Sequence, residues 1–166
     1  MTFAQPDKYF SRITRIDIQR DLLDCGLRFV LLDIDNTIFT RGEIREVPAD
    51  VREWLARAQQ AGIRFCLCSN NWHETPFELA RKLSLPVVAK AMKPLPFGFR
   101  RSLAQLGANR KQAVAIGDQL STDVWGAHTA GIAAYLVQPL VEQDLAHTVV
   151  VRKIESRIIG NRELDD

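Results

Sequence analysis

No apolar run in these 166 residues approaches the roughly 20 that a membrane-spanning helix needs, and the polar N-terminus lacks the apolar core of a signal peptide. A soluble, cytoplasmic protein is the expectation. Cysteine is scarce: Cys25, Cys66 and Cys68 are odd in number and lie in apolar segments, which disfavours a disulfide framework. Cys66-Leu67-Cys68 resembles half a metal site, yet no second Cys or His pair follows at ligand spacing, so core packing is the reading. His128 falls in a helical stretch and His147 in the tail, both read as structural, while Trp72 and His73 read as loop residues near a strand end. A net charge of only +2 gives no argument for a nucleic-acid partner. Repeats, low-complexity segments and linkers are all missing, so residues 1–166 read as one domain, with an N-terminal arm over 1–27 and a C-terminal tail over 140–166.

What the chain does have is a run, Phe29 to Leu32, that is apolar without alternation and ends in Asp33-Ile34-Asp35-Asn36-Thr37. Such a run suits a parallel strand covered on both faces. Strand geometry points side chains two apart the same way, so Asp33 and Asp35 are expected to converge on one small volume. Like charges so placed need a cation, a shared proton, or two different protonation states. The plain alternative is that these acids cap a turn.

The same design recurs downstream. Ile63 to Cys68 runs apolar into Ser69-Asn70-Asn71, Val87 to Ala89 leads to Lys90-Ala91-Met92-Lys93-Pro94, and Ala113 to Ile116 is followed by Gly117-Asp118-Gln119-Leu120-Ser121-Thr122-Asp123. A last strand spans Ala133 to Val137. Between them the spacing predicts helices from Pro48 to Gly62, from a capping box at Thr75-Pro76-Phe77-Glu78 to about Ser84, up to Gly107, and on to about Thr129. Strand and helix alternate, which implies an α/β fold with a parallel sheet and helices on both faces. Ile38 to Ile44 reads as a small hairpin with Arg41 at its tip, able to reach an anionic substrate or simply solvated. Val151, Ile154, Ile158 and Ile159 alternate with Arg152, Lys153 and Arg157 in a basic amphipathic helix, suited to docking on the body or to lying peripherally on the inner face of a membrane.

In open α/β sheets the ligand site lies beyond the carboxyl ends of the strands. Those ends present Asp33, Asp35, Ser69, Lys93, Asp118 and Asp123. Asp33 and Asp118, with Asp123 behind, offer hard oxygen ligands for Mg²⁺. Lys93 and the Ser69 hydroxyl offer charge and a donor to an anion beside it. That mixture describes a phosphoryl-transfer site.

With those residues in place, the chain resembles the haloacid-dehalogenase (HAD) superfamily of aspartate-nucleophile phosphatases. Asp33-Ile34-Asp35-Asn36-Thr37 matches its first motif, Ser69 its second, Lys93 its third, and Asp118 with Asp123 its fourth. Over nearly the whole chain, Ser69-Asn70-Asn71, Lys93-Pro94 and Gly117-Asp118-Gln119 resemble the subclass IIIA, YqeG-type phosphatases, which are similar to the mitochondrial phosphatidylglycerophosphate phosphatases. The resemblance implies a three-layer Rossmann-like HAD fold without a large cap domain. It implies Asp33 as nucleophile forming an aspartyl-phosphate and Asp35 as acid and base, with Mg²⁺ held by Asp33, the Asp35 carbonyl and Asp118. Ser69, Asn70 and Lys93 would bind phosphate, with Thr37 and Asp123 in support and Arg41 a substrate contact. The substrate would be a phosphomonoester, with phosphatidylglycerophosphate in the lead; a soluble sugar, nucleotide or protein phosphate is the alternative, and a non-catalytic binding or assembly factor a further one. A site this open suits macromolecular or lipid phosphates, or a second copy of the chain acting as lid.

Overall fold

The computed structural model describes residues 5–39, 46–140 and 163–166. Six parallel strands form one sheet: β1 (Lys8–Phe10), β2 (Phe29–Leu32), β3 (Arg64–Cys68), β4 (Val87–Val88), β5 (Ala113–Gly117) and β6 (Ala133–Val137), in the spatial order β1-β6-β5-β2-β3-β4. From central β2 the chain steps outward through β3 and β4, then returns to β5 on the other flank. The switch point of this doubly wound sheet therefore lies between β2 and β5, where ligands collect in such folds. Leu32 stands level with Leu67 of β3 and with Ile116 of β5, so the residues just past β2 and β5 leave the sheet side by side.

Alternate strand positions feed two apolar layers. Val30, Leu32, Phe65, Leu67, Val114 and Ile116 join a cluster with Trp54, Leu55 and Ala58 of α1 (Ala49–Gln60) and Leu79 and Ala80 of α2 (Thr75–Leu83). Leu31, Ala115 and Ala134 meet Phe99 of α3 (Pro96–Leu106) and Ala127 and Ala130 of α4 (Trp125–Ala130) on the opposite face. Both faces of the sheet are thus buried, which is why its strands read as unbroken apolar runs. Cys66 and Cys68 pack against Val88 and Leu106, as core thiols. The protein has the expected HAD-like Rossmann architecture, and only residues 33–48 separate β2 from α1 and residues 89–95 separate β4 from α3.

The structure departs from the sequence reading in three places. The N-terminal segment contributes an edge strand, β1, paired with β6 in the register Lys8 to Tyr135; three residues carry too little pattern to announce themselves. The capping box at Thr75 does not form. The helix starts at Thr75 itself, after Glu74, whose carbonyl accepts from the amides of Phe77 at 2.9 Å and Glu78 at 3.1 Å, and no side chain caps it. Finally, β2 ends at Leu32, before either acid. The hairpin residues 40–45, Arg41 among them, and the basic segment 151–159 lie outside the described residues.

The first and last described stretches meet. The Asp165 amide donates to the Tyr9 carbonyl at 2.6 Å, and the Tyr9 amide donates to Asp165 Oδ2 at 2.8 Å, so the outer rim of β1 is covered. Buried Asp21 anchors the same segment, accepting from Lys8 Nζ at 2.7 Å and from Arg20 at 2.8 Å.

Candidate active site

Each functional side chain is placed by the loop that leaves a strand. Asp33 is still held to the sheet, its amide donating to the Ile116 carbonyl at 2.9 Å, and is buried. Beyond it the backbone turns sharply: Asn36 takes a left-handed φ of 60°, a conformation Asn tolerates better than most residues, and its amide donates to the Phe39 carbonyl at 2.8 Å. Asp35 consequently sits half-buried on a turn rather than on a strand face. It remains close enough for its charge to act on Asp33.

Lys93 reaches back from the β4 to α3 loop, and its Nζ donates at 2.5 Å to both Asp33 Oδ1 and Asp123 Oδ1. The ammonium is buried between them. Burial works against its charge, but the carboxylates of Asp123 and Asp33 outweigh that and hold its pKa well above the usual lysine range. Asn70 fixes the same lysine from the backbone side, its amide Nδ2 donating to the Lys93 carbonyl at 2.9 Å and its Oδ1 accepting the Lys93 amide at 2.7 Å. Fully buried Ser69 accepts from the Asn71 amide at 3.0 Å through Oγ, which leaves its own O–H to donate elsewhere.

Asp123 accepts the Gln119 amide at 3.2 Å with its second oxygen, so both of its oxygens are engaged. Its approach to the strand end depends on Gly117, a role that sequence reasoning missed: a Cβ there would lie 2.3 Å from Asp123 Cγ. The signal was available, since a glycine closing an apolar strand directly before an acid marks close backbone approach.

Asp33, Asp118 and Asp123 each bring one carboxylate oxygen within 4.8 Å of the others. Burial, with repulsion among neighbouring carboxylates, pushes the Asp33 carboxyl up to about 7 despite Lys93, and the Asp118 carboxyl up to about 8. Asp118 Oδ1 is buried and accepts no hydrogen bond, a costly condition that a cation ligated there would remove. The donor set is all hard oxygen. It fits a divalent cation of the Mg²⁺ type, with Asp118 and Asp33 the natural donors, because Asp123 is already committed to Lys93 and Gln119. Thr37, buried behind the turn, has a hydroxyl without a partner among the described residues.

The remaining candidates fall outside this cluster. Asn71 Oδ1 accepts the His73 amide at 2.8 Å and shapes the loop, Trp72 is exposed, and His128 contacts Asp7 at 3.1 Å on the far edge.

Comparison with known proteins agrees with this geometry. Residues 91–150 match the HAD-hydrolase-like family. The chain is 29% identical over 158 residues to the probable phosphatase YqeG of Bacillus subtilis, covering 95% of this chain and 91% of that protein. Among solved structures it is similar to the cobalt-bound deoxy-D-mannose-octulosonate 8-phosphate phosphatase of Haemophilus influenzae, at TM-score 0.54 and 15% identity over 81% of this chain and 88% of the other. The 3-deoxy-D-manno-octulosonate 8-phosphate phosphatase of Yersinia pestis aligns at TM-score 0.55 and 15% identity, over 86% of this chain and 84% of its own. With strand ends, acids and lysine disposed as described, the chain is similar in sequence to a HAD-like hydrolase model and to a probable phosphatase, and it shares the fold of HAD-type phosphatases.

Proposed function

We propose that residues 1–166 act as one Mg²⁺-dependent phosphomonoester hydrolase domain working through an aspartyl-phosphate on Asp33. One observation carries the reading: a buried lysine ammonium is held against Asp33 at the switch point of the sheet, beside an Asp118 oxygen that has no partner. Asp33, the Asp35 carbonyl and Asp118 are the residues that would hold the metal. When bound, Mg²⁺ supplies positive charge that keeps Asp33 ionised and offsets its repulsion of an incoming phosphate.

The chain's own groups divide the remaining work. An Asp33 carboxylate oxygen attacks phosphorus as the ester P–O bond breaks, and the Asp35 carboxyl protonates the departing oxygen. Asp35, now a carboxylate, takes a proton from water as that water attacks phosphorus, and inorganic phosphate leaves with Asp33 restored. Lys93 Nζ, the Ser69 hydroxyl and the Asn70 backbone amide hold the phosphoryl oxygens. Asp123 fixes Lys93, and Thr37 supports the turn that carries Asp35. Arg41, six residues beyond Asp35 in the sequence, is the further candidate for a substrate contact.

Phosphatidylglycerophosphate is the substrate we favour, on the resemblance of the motifs to the subclass IIIA group. The fold similarity to octulosonate 8-phosphate phosphatases supports a soluble sugar phosphate as the second reading. Mg²⁺-dependent phosphate release by wild type and Asp33→Asn, on phosphatidylglycerophosphate in mixed micelles and on soluble phosphomonoesters, tests both. Release that is lost in Asp33→Asn supports the mechanism, and the preferred ester decides the substrate. Equal release by both proteins would overturn Asp33 as nucleophile.

A further inference from the structure

Large apolar side chains that a soluble fold should hide are gathered at the carboxyl end of the sheet. Trp72 is 67% exposed, Trp125 and Phe97 are each 52% exposed, and Leu95 and Met92 are about half exposed. Of the 3 tryptophans, the third, Trp54, is buried and donates to the Ile16 carbonyl at 2.8 Å. These five residues sit on adjoining segments. The Lys90 amide donates to the Asn71 carbonyl at 3.3 Å, joining the Trp72 loop to the Met92 loop. The Leu95 amide closes a turn on the Met92 carbonyl at 2.9 Å. Gly98 lets α3 settle on Ala91, where an added Cβ would come within 2.5 Å, and Gly126, next to Trp125, abuts Pro94, where an added Cβ would lie 3.0 Å away.

The backbone is distorted to present this rim. Lys90 and Met92 take left-handed φ values of 52° and 57°, unfavourable for side chains of their kind, and they flank buried Ala91. Lys90 Nζ stands 5.1 Å from the centre of the Trp72 ring. Arg100 and Arg101, both exposed, follow Phe97 by three and four residues on α3 and so share its side of the helix. From Lys90 to Arg101 the chain carries no acid, and with Lys93 buried in the site the exposed cations of this stretch are Lys90, Arg100 and Arg101.

We propose that this rim docks on the surface of an anionic lipid bilayer, so that the mouth around Asp33 and Lys93 faces the headgroups. Tryptophan and phenylalanine set among lysine and arginine match that boundary: the rings enter the acyl margin while the cations meet anionic headgroups. An apolar rim this exposed calls for a cover of some kind, and the exposed cations Lys90, Arg100 and Arg101 beside Met92, Leu95 and Phe97 favour a negatively charged one. The inference rests on the phosphatase reading only for what the mouth does there; docking itself needs no turnover.

Full-length protein is mixed with vesicles of phosphatidylcholine, or of equal parts phosphatidylcholine and phosphatidylglycerol, and sedimented, with brominated lipid as a tryptophan quencher. Binding is expected on the anionic vesicles, equally in wild type and Asp33→Asn, with Trp72 and Trp125 quenched and Trp54 spared. Trp72→Ser combined with Phe97→Ser should weaken binding by at least roughly tenfold. Reversing Lys90, Arg100 and Arg101 to Glu should weaken it on the order of a hundredfold. Phe97→Ser should hydrolyse a soluble ester as wild type does. Absence of binding, or binding unchanged by the rim substitutions, which would point to the 151–159 segment, overturns the proposal. So does self-association at these concentrations that the same substitutions abolish, because the cover would then be a second copy. Failure of Asp33→Asn to lose activity would reject the phosphatase mechanism and leave docking standing.

Discussion

The side-chain amide of Asn70 bonds to Lys93 on both sides of its backbone, donating to its carbonyl at 2.9 Å and accepting its amide at 2.7 Å. Two loops from different strands are thereby locked together at the residue whose ammonium contacts Asp33. Asn70→Ala should lower kcat/KM by about tenfold to a hundredfold, the cost of a small misplacement of a charged group. Asn70→Asp keeps one of the two bonds and should fall between. Equal activity in all three proteins would remove Asn70 from the positioning of Lys93.

Gly117 is expected to tolerate no side chain. Gly117→Ala drives a methyl into Asp123, so the loop must move and release Lys93. We expect a loss of about 2 kcal/mol in unfolding free energy, together with a fall in activity far larger than thermal melting alone would explain. Full activity at the wild-type melting temperature would contradict the close approach.

Stability of the metal-free protein should fall as pH rises. In the folded state Asp33 and Asp118 bind protons more tightly than in the unfolded chain, with pKa values raised to about 7 and about 8 from 3.8. Their stabilising protonation is complete below about pH 4 and is lost as pH climbs through 7 and 8. A divalent cation replaces those protons, so the gain on adding Mg²⁺ should grow over the same interval. Melting curves with chelator and with Mg²⁺, from pH 5 to 9, check this. Asp118→Asn should flatten the slope, and a slope unchanged in that variant would contradict the assignment.

The thiols should divide into one reactive and two inert. Cys25 is exposed, while burial raises the pKa of Cys66 and pushes Cys68 up to about 11. A thiol reagent at neutral pH should titrate one cysteine in the native protein and three in denaturant. Rapid modification of Cys66 or Cys68 would mean that the α3 face opens readily.

Removing Asp165 and Asp166 should cost about 1 to 2 kcal/mol, because the contacts to Tyr9 and Ser11 disappear and the edge of β1 is bared. Activity per folded molecule should not change. A drop in turnover without a drop in melting temperature would assign these residues a different role.

How far the sequence foretold all this depended on where the information lies. Phe29 to Leu32 and Ala133 to Val137 emerged with their boundaries because strands buried on both faces leave an unbroken apolar trace. The placement of Asp33, Ser69, Lys93 and Asp118 beyond strand ends was legible because each follows such a trace directly or after a short loop. β1 was not: its three residues are held by β6, more than 120 positions away, and no local pattern records that pairing. The Thr75 capping box failed because Glu74 supplied a helical turn one residue sooner, a choice made by the loop's geometry rather than by local preference. Asp35 left the strand face because Asn36 reversed the backbone. Asn70's grip on Lys93 required the two loops to be adjacent, which only the sheet order supplies.

That sheet order also governs when the site can come into being. Asp33 leaves the β2 end early in the chain, but its neighbour β5 begins only at Ala113, and Asp118 and Asp123 follow it. A nascent chain that stops at α3 has already made Asp33 and Lys93 but has nothing to complete the acidic cluster. Closing the β2 to β5 pair brings together segments separated by more than 80 residues, a long loop whose entropy must be overcome before its contacts return anything. The acidic cluster is therefore expected to assemble late in folding, arriving with the central strand pair rather than with Asp33 and Lys93.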